Sequence, residues 1–177
     1  NDDELTKTVV GILKTFPDNN ILIDHFIDRA EEAEIDAICD GTDVHIMGIM
    51  EHIEPAGIHS GDSHSVLPPF SLSDDTIDKI KEYAIKIAKA LEVKGLINIQ
   101  FVVKRATNLK EKDEVYVIEA NPRASRTTPF ICKAYQIPYL NIATKVMLGE
   151  YKVKDIHEVE KVEGYAIKEP VFYFSKF

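Results

Sequence analysis

Apolar residues recur at Leu5, Val9, Ile12, Leu13 and Phe16 behind acidic residues, a three-and-four spacing that predicts a helix over residues 2–16. Pro17 and the polar residues to Asn20 mark a turn, and residues 20–27 (NILIDHFI) then read as a short buried strand. The charged residues 29–34 read as a link to a hairpin, EIDAICD and VHIMGIM, folded around Gly41, Thr42 and Asp43. Between residues 51 and 70 the period breaks up around Pro55, Gly57, Gly61, Pro68 and Pro69; an irregular stretch of that length inside a compact chain is often functional. Ser73 is a good N-cap, Asp74 and Asp75 suit a helix dipole, and Ile77, Ile80, Ala84, Ile87, Ala88 and Leu91 form one stripe. Past Gly95, residues 96–104 (LINIQFVVK) predict a strand with Gln100 at its middle. A polar connection over 105–114 joins it to a buried strand beginning VYVI at 115, so the two form an antiparallel pair. Two helices follow, over 128–135 and 140–148, with Gly149 as a C-cap; from Tyr151 onward comes a polar bend and a strand-like run. The elements together describe an α+β fold, a largely antiparallel sheet flanked by helices.

The stretch VYVIEANPRASR carries the most chemistry. Side chains two apart on a strand share a face, so Glu119 and Asn121 project together while Ala120 points away. A carboxylate beside an amide oxygen is a hard donor set of the kind Mg²⁺ takes. Pro122 ends the ladder, and Arg123 and Arg126 follow within reach of whatever that set holds, which suits a metal-bound polyphosphate. A strand end followed by a solvated polar turn explains the same spacing. Gln100, polar within an apolar strand, must find a partner; facing the same way as Glu119, it would share a cation with it.

The loop AGIHSGDSHS has several readings. Gly57 and Gly61 free the backbone, and N–H groups with Ser60 and Ser63 could cradle phosphate. His59, Asp62 and His64 could ligate a transition metal, although their spacing fits no standard site. No strand–turn–helix elbow surrounds Ser60 or Ser63 to make either a nucleophile. Neither G-x-x-x-x-G-K-[ST] nor G-x-G-x-x-G occurs, so a nucleotide site would need another architecture. Glu31, Glu32 and Glu34 read as a solvated run, with one of them sitting beside a ligand as the alternative.

Charge narrows the partners. The sequence has 21 basic and 30 acidic side chains, hence 21 − 30 = −9, which argues against a nucleic-acid or anionic-membrane surface. No apolar run approaches the roughly 20 residues of a membrane helix. Cys39 and Cys132 are isolated and read as buried thiols of a reducing cytoplasm, a disulfide between them being the alternative. Asn1 at the start and the apolar EPVFYFSKF at the end make both termini read as cut, as in a fragment of a longer protein.

GIMEHIEPAGIHSGDS, NIQF and IEANPRASRTTPF, taken together, resemble the large-subunit family of carbamoyl phosphate synthetases. DAICDG and GIMEHIE narrow the likeness to the C-terminal half of the ATP-grasp fold in its second, carbamate-phosphorylating unit. The resemblance runs from about Ile21 to Gly149 and continues more weakly through YAIKEPVFYFSKF. It implies an ATP-grasp C-terminal lobe over 1–150, then an extension over 151–177 toward a further domain. It further implies ATP with Mg²⁺ or Mn²⁺ as cofactors, carbamate as substrate, and the rest of the large subunit and a glutaminase small subunit as partners. His25 and Ile27 would meet the adenine edge and Glu32 the ribose, while Gly57, Ile58, His59 and Ser60 would line the nucleotide near a K⁺ site. Gln100, Glu119 and Asn121 would hold the divalent metals, with Arg123 and Arg126 on the transferring phosphoryl group. The family's glycine-rich phosphate-covering loop is not in this sequence, so the segment alone is expected to be inactive. Another ATP-grasp ligase working through an acyl phosphate, biotin-carboxylase-like, and a non-catalytic nucleotide-binding regulatory module are the alternatives.

Overall fold

Along residues 31–40 acids alternate with apolar side chains, and this strand lies inside the sheet. A computed structural model of the chain describes residues 1–108, 111–157 and 163–171. Its strands are β1 (Glu31–Asp40), β2 (Val44–Pro55), β3 (Ser65–Leu67), β4 (Lys94–Lys104), β5 (Glu114–Asn121) and β6 (Ala166–Lys168). Among the described residues they form one six-stranded sheet in the order β5-β4-β1-β2-β3-β6, each adjacent pair antiparallel.

One face of the sheet is apolar along its length. Ala33, Ile35, Ala37 and Cys39 of β1 and Ile97, Ile99 and Phe101 of β4 pack beneath α2 (Asp74–Ala90), which turns Ile80, Ala84 and Ala88 inward. Ser73 caps that helix by accepting from the Thr76 N–H at 3.2 Å. Each fully buried aliphatic of Ile80's size contributes about 1.5–3 kcal/mol, so α2 is held by its stripe. The opposite face is divided. Ile38, Met47 and Leu67 lie under α3 (Thr128–Tyr135) and α4 (Tyr139–Met147), against Ile131, Tyr139, Ala143 and Val146. Toward the other end of β1 that face carries Glu32, Glu34 and Asp36 instead, all buried. The polar half is where the candidate site lies.

Several expectations change. Residues 20–27 form no strand: Leu22 is 84% exposed, and the segment joins no ladder, so its apolar run has nothing to bury against. The first helix forms as α1 (Asp2–Thr15), started by an Asn1–Glu4 capping box, yet buries none of its residues. Residues 31–34 are not a solvated link but the start of β1, with the Glu32 and Glu34 carboxylates received by buried partners. The irregular stretch is shorter than expected, because β2 runs to Pro55 and residues 65–67 pair as β3. β5 is an edge strand, not a buried one: Tyr116, Val117 and Ile118 are exposed, since β-branched composition marks a strand without saying whether both its sides are covered. Cys39 is buried and Cys132 half-buried, and both are free thiols. Residues 172–177 of the strand-like tail lie outside the described residues. Among the described residues no helix is long and apolar enough to cross a membrane.

Candidate functional site

Antiparallel partners stand opposite each other on one face of a sheet, so register decides which polar groups meet. Two rows cross the polar half. One runs Met50, Glu34, Gln100, Glu119; the next runs Gly48, Asp36, Asn98, Asn121. Gln100 thus stands directly opposite Glu119, and the Asn121 Nδ2 donates to Glu119 Oε1 at 2.9 Å. Three oxygen-bearing side chains converge at the open edge of the sheet. Hard oxygen donors of this kind fit Mg²⁺ or Mn²⁺ better than a thiolate- or imidazole-seeking metal.

Beyond β5 the chain turns through Pro122, with the Arg123 N–H donating to the Asn121 carbonyl at 2.8 Å. Asp36 pins the turn. Its Oδ1 accepts from Ser125 Oγ at 2.6 Å and its Oδ2 from Thr127 Oγ1 at 2.6 Å, with longer contacts at 3.4 Å from Thr128 Oγ1 and Asn98 Nδ2. Asp36 is 1% exposed. Burial pushes its carboxyl up to about 6 despite the hydrogen bonds from Ser125 and Thr127, which pull the other way. The loop carrying Arg123 and Arg126 is therefore tied to the middle of the sheet by one buried acid.

A second buried set lies alongside. Glu34 takes the His52 Nε2 at 3.2 Å and the Asn98 Nδ2 at 3.1 Å. His52 Nδ1 has no hydrogen-bond partner and lies 4.0 Å from Glu32 Oε2. The Glu32 carboxyl is raised by burial, against the pull of the His52 charge and of the Gly57 N–H that donates to it. An orphaned ring nitrogen beside a buried carboxylate has room in its hydrogen-bonding for a water or small cation.

The loop over 57–62 closes the site. Gly57 adopts a φ of +102°, in the left-handed region that favours glycine. His59 Nδ1 accepts from the Gly61 N–H at 3.0 Å, and the Lys168 Nζ donates to the Ser60 carbonyl at 2.8 Å. The Arg126 guanidinium lies against Gly61, where any Cβ would strike it.

His59, Ser60, Gln100, Glu119, Arg123 and Arg126 line one cavity of about 210 Å³. Asn121 joins through Glu119, and Glu32 joins the loop through Gly57. His25 is exposed and Ile27 half-buried in the segment before β1, and neither lines the cavity, nor does Ile58. That segment does pass the loop: a Cβ on Gly57 would lie 3.5 Å from the Phe26 ring. His59, Asp62 and His64 do not assemble as a metal triad, because His64 turns its Nδ1 to Glu54 Oε1 at 2.5 Å. Among the described residues no group of three or more His, Cys, Asp or Glu could hold a metal ion. Asp36, Asn98, His52 and Lys168 were not singled out in the sequence. For Asp36 the signal existed, in the two-residue period of Glu32, Glu34 and Asp36 between apolar neighbours.

Solved structures define the class. The chain is similar to the biotin carboxylase of Campylobacter jejuni, solved as a β,γ-ATP complex, with a TM-score of 0.73 at 23% identity over 94% of this chain and 36% of that one. It is also similar to the biotin carboxylase domain of a thermophilic 2-oxoglutarate carboxylase bound to bicarbonate, with a TM-score of 0.71 at 18% identity over 94% and 37% of the two chains. These likenesses speak for the fold, an α+β ATP-grasp fold with an antiparallel sheet. Sequence carries the identification further. The family model described as "Carbamoyl-phosphate synthase L chain, ATP binding domain" matches residues 1–154, and the chain belongs to that family. It is 49% identical over 177 residues to the carbamoyl phosphate synthase large chain of Methanothermobacter thermautotrophicus and 50% identical to that of Archaeoglobus fulgidus. Each match covers 99% of this chain and 16% of the relative, so the chain spans about one sixth of the length of these relatives.

Proposed function

We propose that this chain forms one wall of the nucleotide and metal site of an enzyme that phosphorylates carbamate with ATP to give carbamoyl phosphate, for arginine and pyrimidine synthesis. One observation carries the reading: Gln100 stands opposite Glu119, beside Asn121, in a cavity that Arg123 and Arg126 also line. Family membership supports it, and the motifs DAICDG and GIMEHIE favour the second of the family's two phosphorylating units. The same membership weighs against a biotin-carboxylase-like ligase, whose solved members share only the fold with this chain. The full set of polar groups weighs against a regulatory module that never turns over.

Each residue then has a task. Gln100, Glu119 and Asn121 hold the divalent cation, which when bound neutralises phosphate charge during the transfer. Arg123 and Arg126 direct guanidinium N–H groups at the transferring phosphoryl oxygens and orient the acceptor, and Asp36 keeps their loop in place. His59 and Ser60, with Gly57 and Ile58, shape the loop over the nucleotide, Glu32 takes the ribose hydroxyls, and His25 and Ile27 border the adenine. Membership of the family points to a K⁺ site next to that loop. The rest of the large subunit and a glutaminase small subunit are the partners, and the cytoplasm is the compartment. Without the lobe that would cover the phosphates, these charges work in high dielectric, so this segment alone is inactive.

The test is Glu119→Gln in the full-length large chain. Its ATP synthesis from ADP and carbamoyl phosphate, titrated with Mg²⁺, is lost while the fold is retained. An unchanged rate and metal dependence contradicts the reading.

A further inference from the structure

The last described strand brings a lysine into the cavity from beyond the segment that the family model matches, which ends at residue 154. β6 pairs with β3 in the register Ser65 to Lys168, placing Lys168 beside the 57–62 loop. The Lys168 Nζ donates to the Ser60 carbonyl at 2.8 Å, and the side chain lines the same cavity as Gln100, Glu119, Arg123 and Arg126. Of the carboxylates near it, Glu34 is held by His52 and Asn98, and Glu54 by His64, while the exposed Asp62 and the exposed, cavity-lining Glu169 form no ion pair with it. Among the described residues Lys168 forms no ion pair, and one hydrogen bond uses only one of its three N–H groups. A half-buried ammonium in that state has donors and charge to offer an incoming anion. Burial is the main cause that lowers its pKa, the Arg126 charge acting in the same direction and the Glu34, Glu54 and Asp62 charges opposing it.

We propose that Lys168 is a third cationic contact, beside Arg123 and Arg126, for the anionic oxygens of the bound phosphoryl donor and carboxylate acceptor, steadied by the Ser60 carbonyl. This rests on the function proposed above. The ammonium adds its full positive charge, with N–H groups to spare, to the charges of the two arginines, and it is this charge that acts on the transferring oxygens.

The experiment compares Lys168→Met, Lys168→Gln and Lys168→Arg with Glu119→Gln in the full-length large chain, following ATP synthesis from ADP and carbamoyl phosphate. Met and Gln both lower kcat roughly 100-fold, the usual size for one lost charge-stabilising donor, while Arg recovers most of it. KM for ADP stays within about 3-fold and the thermal midpoint is unchanged, as for an interaction made in the transition state. Gln retains a donor for the Ser60 carbonyl, so a Gln variant at the wild-type rate would reduce Lys168 to a structural clamp and overturn the proposal. Equal losses in Met and Arg, or a Met variant at the wild-type rate, would overturn it too. The Glu119→Gln control separates the two readings: if that variant is active, the parent function fails, and if it is dead while Lys168→Met is active, only the lysine assignment fails.

Discussion

Replacing Asp36 by Asn removes the buried ionisable group that, among the described residues, accepts from Ser125, Thr127 and Thr128 at the arginine loop, while keeping its size. The Asp36 carboxyl is raised from 3.8 to about 6, burial being the leading cause. A folded pKa above the unfolded one contributes stability that is fully present below the unfolded value and is lost as pH rises through the folded value. Asp36 therefore makes the chain more stable in mild acid than in mild base. Applied to 3.8 and about 6, proton linkage yields a gain of about 1.4 kcal/mol on going from about pH 8 to about pH 5. Asp36→Asn lacks that gain, and its other carboxylates are shared with the wild type. Urea unfolding of wild type and Asp36→Asn at the two pH values isolates the contribution as a difference of differences. The variant is expected to be more destabilised at the lower pH by about 1.4 kcal/mol. Parallel pH dependences would refute it, because Asp36 would then titrate as an ordinary exposed acid.

Gly61→Ala places a Cβ against the Arg126 guanidinium, 3.3 Å from its Cζ, and the flexible tip gives way instead of the backbone. Its thermal midpoint stays near wild type while phosphoryl transfer in the full-length chain falls about 10-fold or more; full activity would show that Arg126 need not lie where it does. Cys39 is buried, and burial with the Asp40 charge pushes its thiol up to about 12. Thiol titration of the native chain should leave Cys39 silent until denaturant is added, whereas rapid reaction of both cysteines would contradict its burial.

Periodic elements were legible because local rules determine them. The α2 stripe and its Ser73 cap, the β4–β5 pairing and the shared face of Glu119 and Asn121 all follow from spacing of two, three and four. What could not be read was which sides of an element would be covered. Val117 and Ile118 are apolar yet lie on an edge strand, and Leu22 and Phe26 are apolar yet exposed. Glu32, Glu34 and Asp36 are charged yet buried, because His52, Asn98, Ser125 and Thr127 arrive from strands and loops up to 91 residues away. Lys168 reaches the cavity only through the β3–β6 pairing, a long-range contact that no local pattern announces.

The assignment of Gln100, Glu119 and Asn121 as metal ligands is tested most directly by a crystal of the full-length large chain grown with ADP and Mn²⁺, with the anomalous signal of the metal mapped. A peak within about 2.5 Å of the Gln100 and Glu119 side-chain oxygens, beside Asn121, is the result expected for a hard cation on that edge. A peak confined to His59 and its neighbouring loop, with none at Glu119, would contradict it.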